Sequence, residues 1–521
     1  MKEVKTDRIV IIGAGLGALY AALELAPLPV AMISPETLGG GASSAWAQGG
    51  VAAAMADKDS PASHATDTIR VGAGIVVPEV AQLVTNEARN HILELTDLGT
   101  PFDRSGAGDY VLSREAAHSF ARVVRVKGDQ AGAAIMAALI EQVRAAPSVQ
   151  VLEGTMALGI ETREGDVTGI EIQASGEARS APVMLRGAAY LFAGGGSGGL
   201  YALTTNPPRI RGQVIGMAAR AGAVIADAEF VQFHPTAMDV GEDPAPLATE
   251  ALRGEGAILI NAAGERFMTG VHPDAELAPR DVVAREIYAQ TQAGKRPMLD
   301  TRAALGERIK TLYPSVASAC ARNGIDPATM PIPISAAAHY HMGGIATDVF
   351  GRASLGNLWV CGEASSTGLH GANRLASNGL LEALVYARIC AADIAGRVAP
   401  NAAPEITLAF DGGGRAPDPS AVAKLRAVMT ANVGVVRTDA GLRSALREIA
   451  ALEQAHGDSP DFANMCATAT LIAACAWVRK ESRGAHERTD HPEMLAGVGK
   501  RSMMTLTEAR ALRAQACEDT L

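Results

Sequence analysis

The chain has 521 residues, 48% of them hydrophobic and 20% charged, with a formal net charge of −10. That length exceeds one ordinary domain and predicts two or three; the acidic balance argues against nucleic acid as a partner but leaves an acidic substrate open, because the field of a site is set locally. Six scattered cysteines with no CxxC pair show neither a disulfide framework nor metal spacing, no apolar run reaches transmembrane length, and MKEVKTDRIVIIGAG has no signal-peptide core, so a cytoplasmic chain with no metal and no membrane partner is expected.

In chain order, Arg8–Ile12 (RIVII) reads as a continuous apolar strand of a parallel sheet. It runs into GAGLGA at Gly13, Ala14, Gly15, Leu16 and Gly17, a helix over Leu19–Leu25 and a second strand over Val30–Ile33, which completes a βαβ unit. The turn GGGASS leads into Trp46, Ala47, Gln48, Gly49 and Gly50, and a helical stretch follows over Pro78–Leu98. Gly187–Ala193 is another strand, closed by three glycines. Composition shifts near Glu229: the segment to His339 carries EFVQFHPT, LRGEG, ERFM, APRD and MPIPIS, and reads as an inserted capping unit. The first unit resumes with a strand ending at Gly362 and Glu363 and a helix over Ser377–Cys390; FDGGGRAPDPS (Phe410–Ser420) reads as a linker before helical periodicity to Leu521.

GxGxx(G/A) between a buried strand and a helix lets a pyrophosphate rest on the helix N-terminus. An acid usually ends the second strand and holds the ribose; here Ser34 stands there with Glu36 two residues on, which leaves the ribose contact open. Glu363 puts a second carboxylate at a strand end, and Gly379 and Leu380 open a helix whose dipole favours negative charge on a reduced flavin. Two such elements far apart, without a second GxGxxG, fit one extended FAD better than NAD. No histidine lies between Gly39 and Gly50 to carry a covalent link, so non-covalent FAD is expected. The fold class that follows is α/β: a Rossmann-like FAD-binding domain (1–228 and 341–410), an inserted α+β capping domain (229–340) and a C-terminal helical domain (411–521).

On the substrate side, His234 lies in QFHPT, His339 in AHYHMGG, Arg280 in APRD and Arg374 in HGANR. Hydride transfer to a flavin requires a substrate held flat against the ring, which two carboxylates in cationic clamps achieve. Thr249, Glu250 and Arg253, with Arg280, suggest an Arg–Glu–Arg relay for the accompanying proton.

SSAWAQGGVAA, FVQFHPT, TEALRGEGA, APRDVVAR, HYHMGG and HGANRLASNGLLE together resemble the succinate dehydrogenase/fumarate reductase flavoprotein superfamily over nearly the whole chain, and within it the L-aspartate oxidases. The resemblance implies Arg280 as proton donor or acceptor, relayed by Glu250 and Arg253, with His234, Thr249, His339 and Arg374 binding carboxylates. It also implies flavin contacts from Ala14 to Gly17, from Ser43, Ser44 and Ala45 through Gly50, and from Glu363, Gly379 and Leu380. In REAAHS, Glu115 takes the place of the acid that faces the substrate amino group in aspartate oxidases. FAD-dependent oxidation of L-aspartate to iminoaspartate is therefore expected, with O2 or fumarate as acceptor and a functional link to quinolinate synthase. A dehydrogenase subunit serving an iron–sulfur partner and a non-catalytic flavin binder are the alternatives. Three departures stand out: Ala116 and Ala117 replace a glycine pair, Gln213 replaces the acid of Gly-Asp-Gly, and His341 stands where threonine is common.

Overall fold

The computed structural model describes residues 1–176, 179–399 and 401–518; residues 177, 178, 400 and 519–521, each inside an expected domain span, lie outside the described residues. Its centre is a five-stranded parallel sheet in the order Leu358–Val360, Ala189–Phe192, Ile9–Ile12, Val30–Ser34 and Val149–Glu153. Ile9–Ile12 and Val30–Ser34 are buried throughout, as expected of strands covered on both faces. The first helix spans Leu16–Glu24, three residues earlier than the periodicity suggested. Gly13 at φ +124° turns the chain sharply enough for the helix to begin directly after Gly15.

The segment after Glu229 contributes an antiparallel sheet, Val231–Met238, Ile332–His341, Met298–Asp300 and Ile258–Ile260. The helix Arg280–Gln292 packs on its two longest strands. The chain then returns to the parallel sheet and runs through Ser377, at φ +62°, into the helix Asn378–Ala395, which lies against Leu16–Glu24. Helices Pro419–Asn432, Asp439–His456, Pro460–Val478 and Leu506–Glu518 follow.

One expectation is corrected here. Pro460–Val478 is long and apolar enough to span a bilayer, with a window mean hydropathy of 1.3. Asn464, Thr468 and Thr470 interrupt its apolar run and conceal it on inspection of the sequence. The structure buries 94% of that window inside the protein, so it is the core helix of the C-terminal segment.

Candidate active site

A cavity of about 990 Å3 opens along the carboxyl ends of the parallel strands. Gly13, Ala14, Gly15, Leu16 and Gly17 line it together with Ser34, Ser43, Ser44, Ala45, Trp46, Ala47 and Gln48, and on the opposite wall Glu363, Gly379 and Leu380. Two expected cofactor residues are elsewhere. A side chain at Gly50 would meet Val124 O at 1.7 Å, and one at Gly49 would meet Glu115 Oε1 at 3.0 Å. These glycines admit close packing of neighbouring segments and do not line the cavity.

The walls fit an extended flavin dinucleotide. A Cβ at Gly13 would collide with Ala193 O at 2.3 Å, and one at Gly196 with Glu363 Oε1 at 2.2 Å, so the strand–helix turn and the opposite wall tolerate no side chains there. Ser44 Oγ accepts from Leu16 N at 3.1 Å. Ser43 Oγ, Gln48 Oε1 and Arg374 Nε are buried polar atoms without a protein partner, which a bound polar ligand would satisfy. Ser34 turns inward, donating to Glu36 O at 2.6 Å. The acid offered to the cavity at this end is Glu36, held by Arg209 Nε at 2.9 Å. At the other end Glu363 accepts from His341 N at 2.9 Å, and burial pushes its carboxyl up to about 7.

Beside this cavity the cationic residues converge. Arg280, first residue of its helix, donates from Nε to Glu250 Oε2 at 2.5 Å, and Arg253 Nη2 lies 3.2 Å from the same oxygen. All three are buried. Burial alone would raise the Glu250 carboxyl, but the two guanidiniums outweigh it and hold the carboxyl low, in the charged form. His234 and His339 pack edge to face, ring centroids 4.9 Å apart. Burial and the charge of Arg280 keep both well below the usual histidine range, so they act as neutral imidazoles. Thr236 N donates to His234 Nδ1 at 3.2 Å, which leaves its Nε2 as the donor. Thr205 Oγ1 lies 2.8 Å from His339 Nδ1. Thr249 is buried immediately before Glu250.

Two supports escaped the sequence reading. Gln232 Oε1 accepts from Arg280 Nη1 at 3.0 Å, and its Nε2 donates to Asn373 Oδ1 at 2.9 Å and Arg374 O at 2.8 Å. One side chain thus ties the two arginine segments together; its place two residues before His234 was the available signal. Behind Arg374 stands Tyr340, its ring centroid 4.3 Å from the guanidinium carbon. Tyr340 Oη lies 3.1 Å from His370 Nε2 and donates to Glu382 Oε2 at 3.3 Å, while His370 Nε2 and Glu382 Oε2 are 2.8 Å apart. Burial and Arg280 push Arg374 down to about 10, which still leaves it cationic at neutral pH.

Residues 8–380 match the FAD binding domain family model, and residues 422–514 match that of the fumarate reductase flavoprotein C-terminus. The chain is 49% identical to the L-aspartate oxidase of Caulobacter vibrioides, over 95% of its own length and 96% of the relative's. It belongs to the L-aspartate oxidase family. The L-aspartate oxidase of Agrobacterium fabrum is 44% identical over 95% and 94% of the two chains. Among solved structures, the FrdA chain of E. coli quinol fumarate reductase superposes with a TM-score of 0.87 at 26% identity, covering 96% of this chain and 94% of that one. Sdh1 of Mycobacterium smegmatis does so at 0.80 and 28%, over 97% and 94%. The α/β fold with its C-terminal helices and the use of FAD follow from this membership.

For an L-aspartate oxidase family member, the lid residues Arg114 to Ser119 are of most interest. Glu115 is 3% exposed and accepts from Ser377 Oγ at 2.9 Å, at the start of the Asn378–Ala395 helix. Ala116 N donates to Glu250 Oε1 at 2.7 Å, which joins this stretch to the Arg280–Glu250–Arg253 cluster. His118 Nε2 lies 3.0 Å from Ala376 O, and Ser119 N donates to Asp67 Oδ2 at 2.8 Å. Burial and the nearby charge of Glu250 push the Glu115 carboxyl up, into the neutral range. The replaced glycine pair has a consequence: Ala117 sits at φ +62°, in the left-handed region. The other departures have local partners. Gln213 Nε2 donates to Asp461 O at 3.0 Å, and buried His341 lies 3.0 Å from Ser197 Oγ and 2.9 Å from Ala228 O.

Proposed function

We propose that the chain oxidises L-aspartate to iminoaspartate, and that Glu115 is what makes aspartate the substrate. The observation behind this reading is a second buried carboxyl beside the cations and neutral imidazoles: Glu250 is held by Arg280 and Arg253, whereas Glu115 accepts only from the Ser377 hydroxyl. Arg374 and Arg280, with His234, His339 and Thr249, would hold the two substrate carboxylates. Only Glu115, among these ligands, offers an ammonium group a counter-charge. FAD, held non-covalently, would supply the hydride acceptor for the substrate Cα, with O2 or fumarate as the final electron acceptor. Arg280 exchanges the proton, with Glu250 and Arg253 behind it as the relay; its short bond to Glu250 supports that role. Gln232 and the lid keep water from the substrate face. The product suits quinolinate synthase as the next enzyme, and a reduced cytoplasm suits a chain whose Cys320, Cys361, Cys390, Cys466 and Cys475 are buried free thiols.

Glu115→Gln tests the assignment. It should lower kcat/KM for aspartate by about 100-fold, the scale of an ammonium left without its buried partner, while succinate binds no more weakly than to the parent. An incoming ammonium favours the charged form of a carboxyl that burial has raised. The parent's kcat/KM should therefore climb with pH through the neutral range, and Glu115→Gln should lose that limb. An unchanged preference for aspartate over succinate would remove Glu115 from its role.

A further inference from the structure

At the Glu36 end of the cofactor cavity, a chain of contacts crosses into the C-terminal helices. Arg209, paired with Glu36, donates from Nη2 to Ser175 O at 3.3 Å, and Arg179 Nη1 donates to the same carbonyl. Arg179 Nη2 in turn pairs with Asp461 Oδ2 at 3.2 Å. Asp461 is 3% exposed and lines the cavity, yet its second oxygen, Oδ1, is buried with no hydrogen-bond partner. Met156, Ala157 and Met465 line the cavity with it; Met465 lies one helical turn beyond Asp461, and Met156 pairs across the sheet with Gln173, two residues before Ser175.

Apolar side chains beside a buried, unpartnered acceptor match a purine, which has flat apolar faces and an exocyclic amine as donor. The location agrees, because the end of the second parallel strand is where this fold places the adenosine ribose. We propose that Asp461 Oδ1 accepts a hydrogen bond from the exocyclic amine of the cofactor's adenine, so that the C-terminal helices take part in recognising FAD. Arg179 holds the carboxylate through Oδ2, and the backbone of Asp461 is fixed as well. Gln213 Nε2 anchors its backbone carbonyl, and Asn464 Nδ2 donates to Gln213 Oε1 at 3.3 Å. Leaving a buried acceptor unmatched is costly, and the ligand supplies the donor that the protein does not. Burial also pushes the Asp461 carboxyl up against the pull of Arg179, and a donor at Oδ1 favours the charged form.

The inference rests on FAD occupancy and not on the aspartate reading, so its test uses no substrate. Full-length protein stripped of flavin is titrated with FAD and with the FAD analogue carrying hypoxanthine in place of adenine, following flavin fluorescence. Hypoxanthine presents a carbonyl oxygen where adenine presents the amine. The parent chain should bind the analogue about tenfold more weakly, the scale of one hydrogen bond to a charged group. Asp461→Asn, whose amide donates as well as accepts, should bring that ratio to about two or less. Equal affinity of the parent for both dinucleotides overturns the proposal, and so does a folded Asp461→Asn protein that keeps the parent's ratio. Should the variant fail to fold, the parent's ratio alone decides.

Discussion

Tyr340 stands between Arg374, the cation proposed to bind substrate, and the buried acid Glu382. Its ring lies under Arg374, while its hydroxyl reaches His370 and Glu382. Arg374 Nε has no protein partner, so the ring and the surrounding backbone are what hold the guanidinium ready for a carboxylate. Removing only the hydroxyl (Tyr340→Phe) keeps the ring and should weaken succinate binding about threefold, through looser placement worth under about 1 kcal/mol. Removing the ring (Tyr340→Leu) also loses a desolvated cation–π contact of about 2 kcal/mol and should weaken binding at least tenfold. Flavin difference spectra on titration with succinate give both numbers; two variants indistinguishable from the parent would show that Arg374 is placed by other means. The sequence displays Tyr340 between His339 and His341 but gives no hint of this arrangement. His370 and Glu382 come from a loop and a helix, and only the fold brings them to one hydroxyl. Asp461 was equally hidden, nearly eighty residues beyond the last cofactor motif in a segment read simply as helical.

At the scale of elements, the lid shows what a sequence motif conveys and what it omits. REAAHS singles out Glu115, and the structure adds that the same stretch reaches Glu250 through the backbone of Ala116 and reaches Ala376 and Ser377, ahead of the Asn378–Ala395 helix, through the side chains of His118 and Glu115. The double alanine stands where relatives of this sequence pattern carry a glycine pair. Its observed effect is conformational, with Ala117 at φ +62° and its carbonyl accepting from Arg70 Nη2 at 2.6 Å. An L-residue in that region costs about 1–2 kcal/mol, partly offset by the flexibility glycine adds to the unfolded chain. Ala117→Gly should therefore raise stability by about 0.5–1 kcal/mol, seen as a higher thermal midpoint; a lower midpoint would mean that the alanine methyl contributes packing that outweighs the strain. Elements such as GAGLGA and SSAWAQ, whose residues line the cavity, were legible because a tight turn is local. Gly49 and Gly50 directly follow SSAWAQ, and the structure sets Gly49 against Glu115 and Ser377 and Gly50 against Val124, a packing that the run of residues alone does not reveal.

Across the whole molecule, the site is assembled from three stretches of chain that meet only in the fold. The lid comes from the first flavin-binding stretch, Arg280 and the relay from the capping segment, and Arg374 from the return to the parallel sheet. The C-terminal helices brace this arrangement. Arg479 Nε pairs with Glu229 at 2.5 Å, Arg437 Nη1 donates to Glu229 O at 2.8 Å, and Arg285 Nη1 donates to Gly484 O at 2.9 Å. These bonds tie the C-terminal segment to Glu229 and to the Arg280–Gln292 helix. The central claim concerns which dicarboxylate reduces the flavin, and anaerobic bleaching of the flavin band in the purified protein tests it most directly. L-aspartate should bleach the band and succinate should leave it yellow. Bleaching by succinate and not by L-aspartate would keep the fold and the carboxylate clamps but contradict the assignment of the substrate and of Glu115.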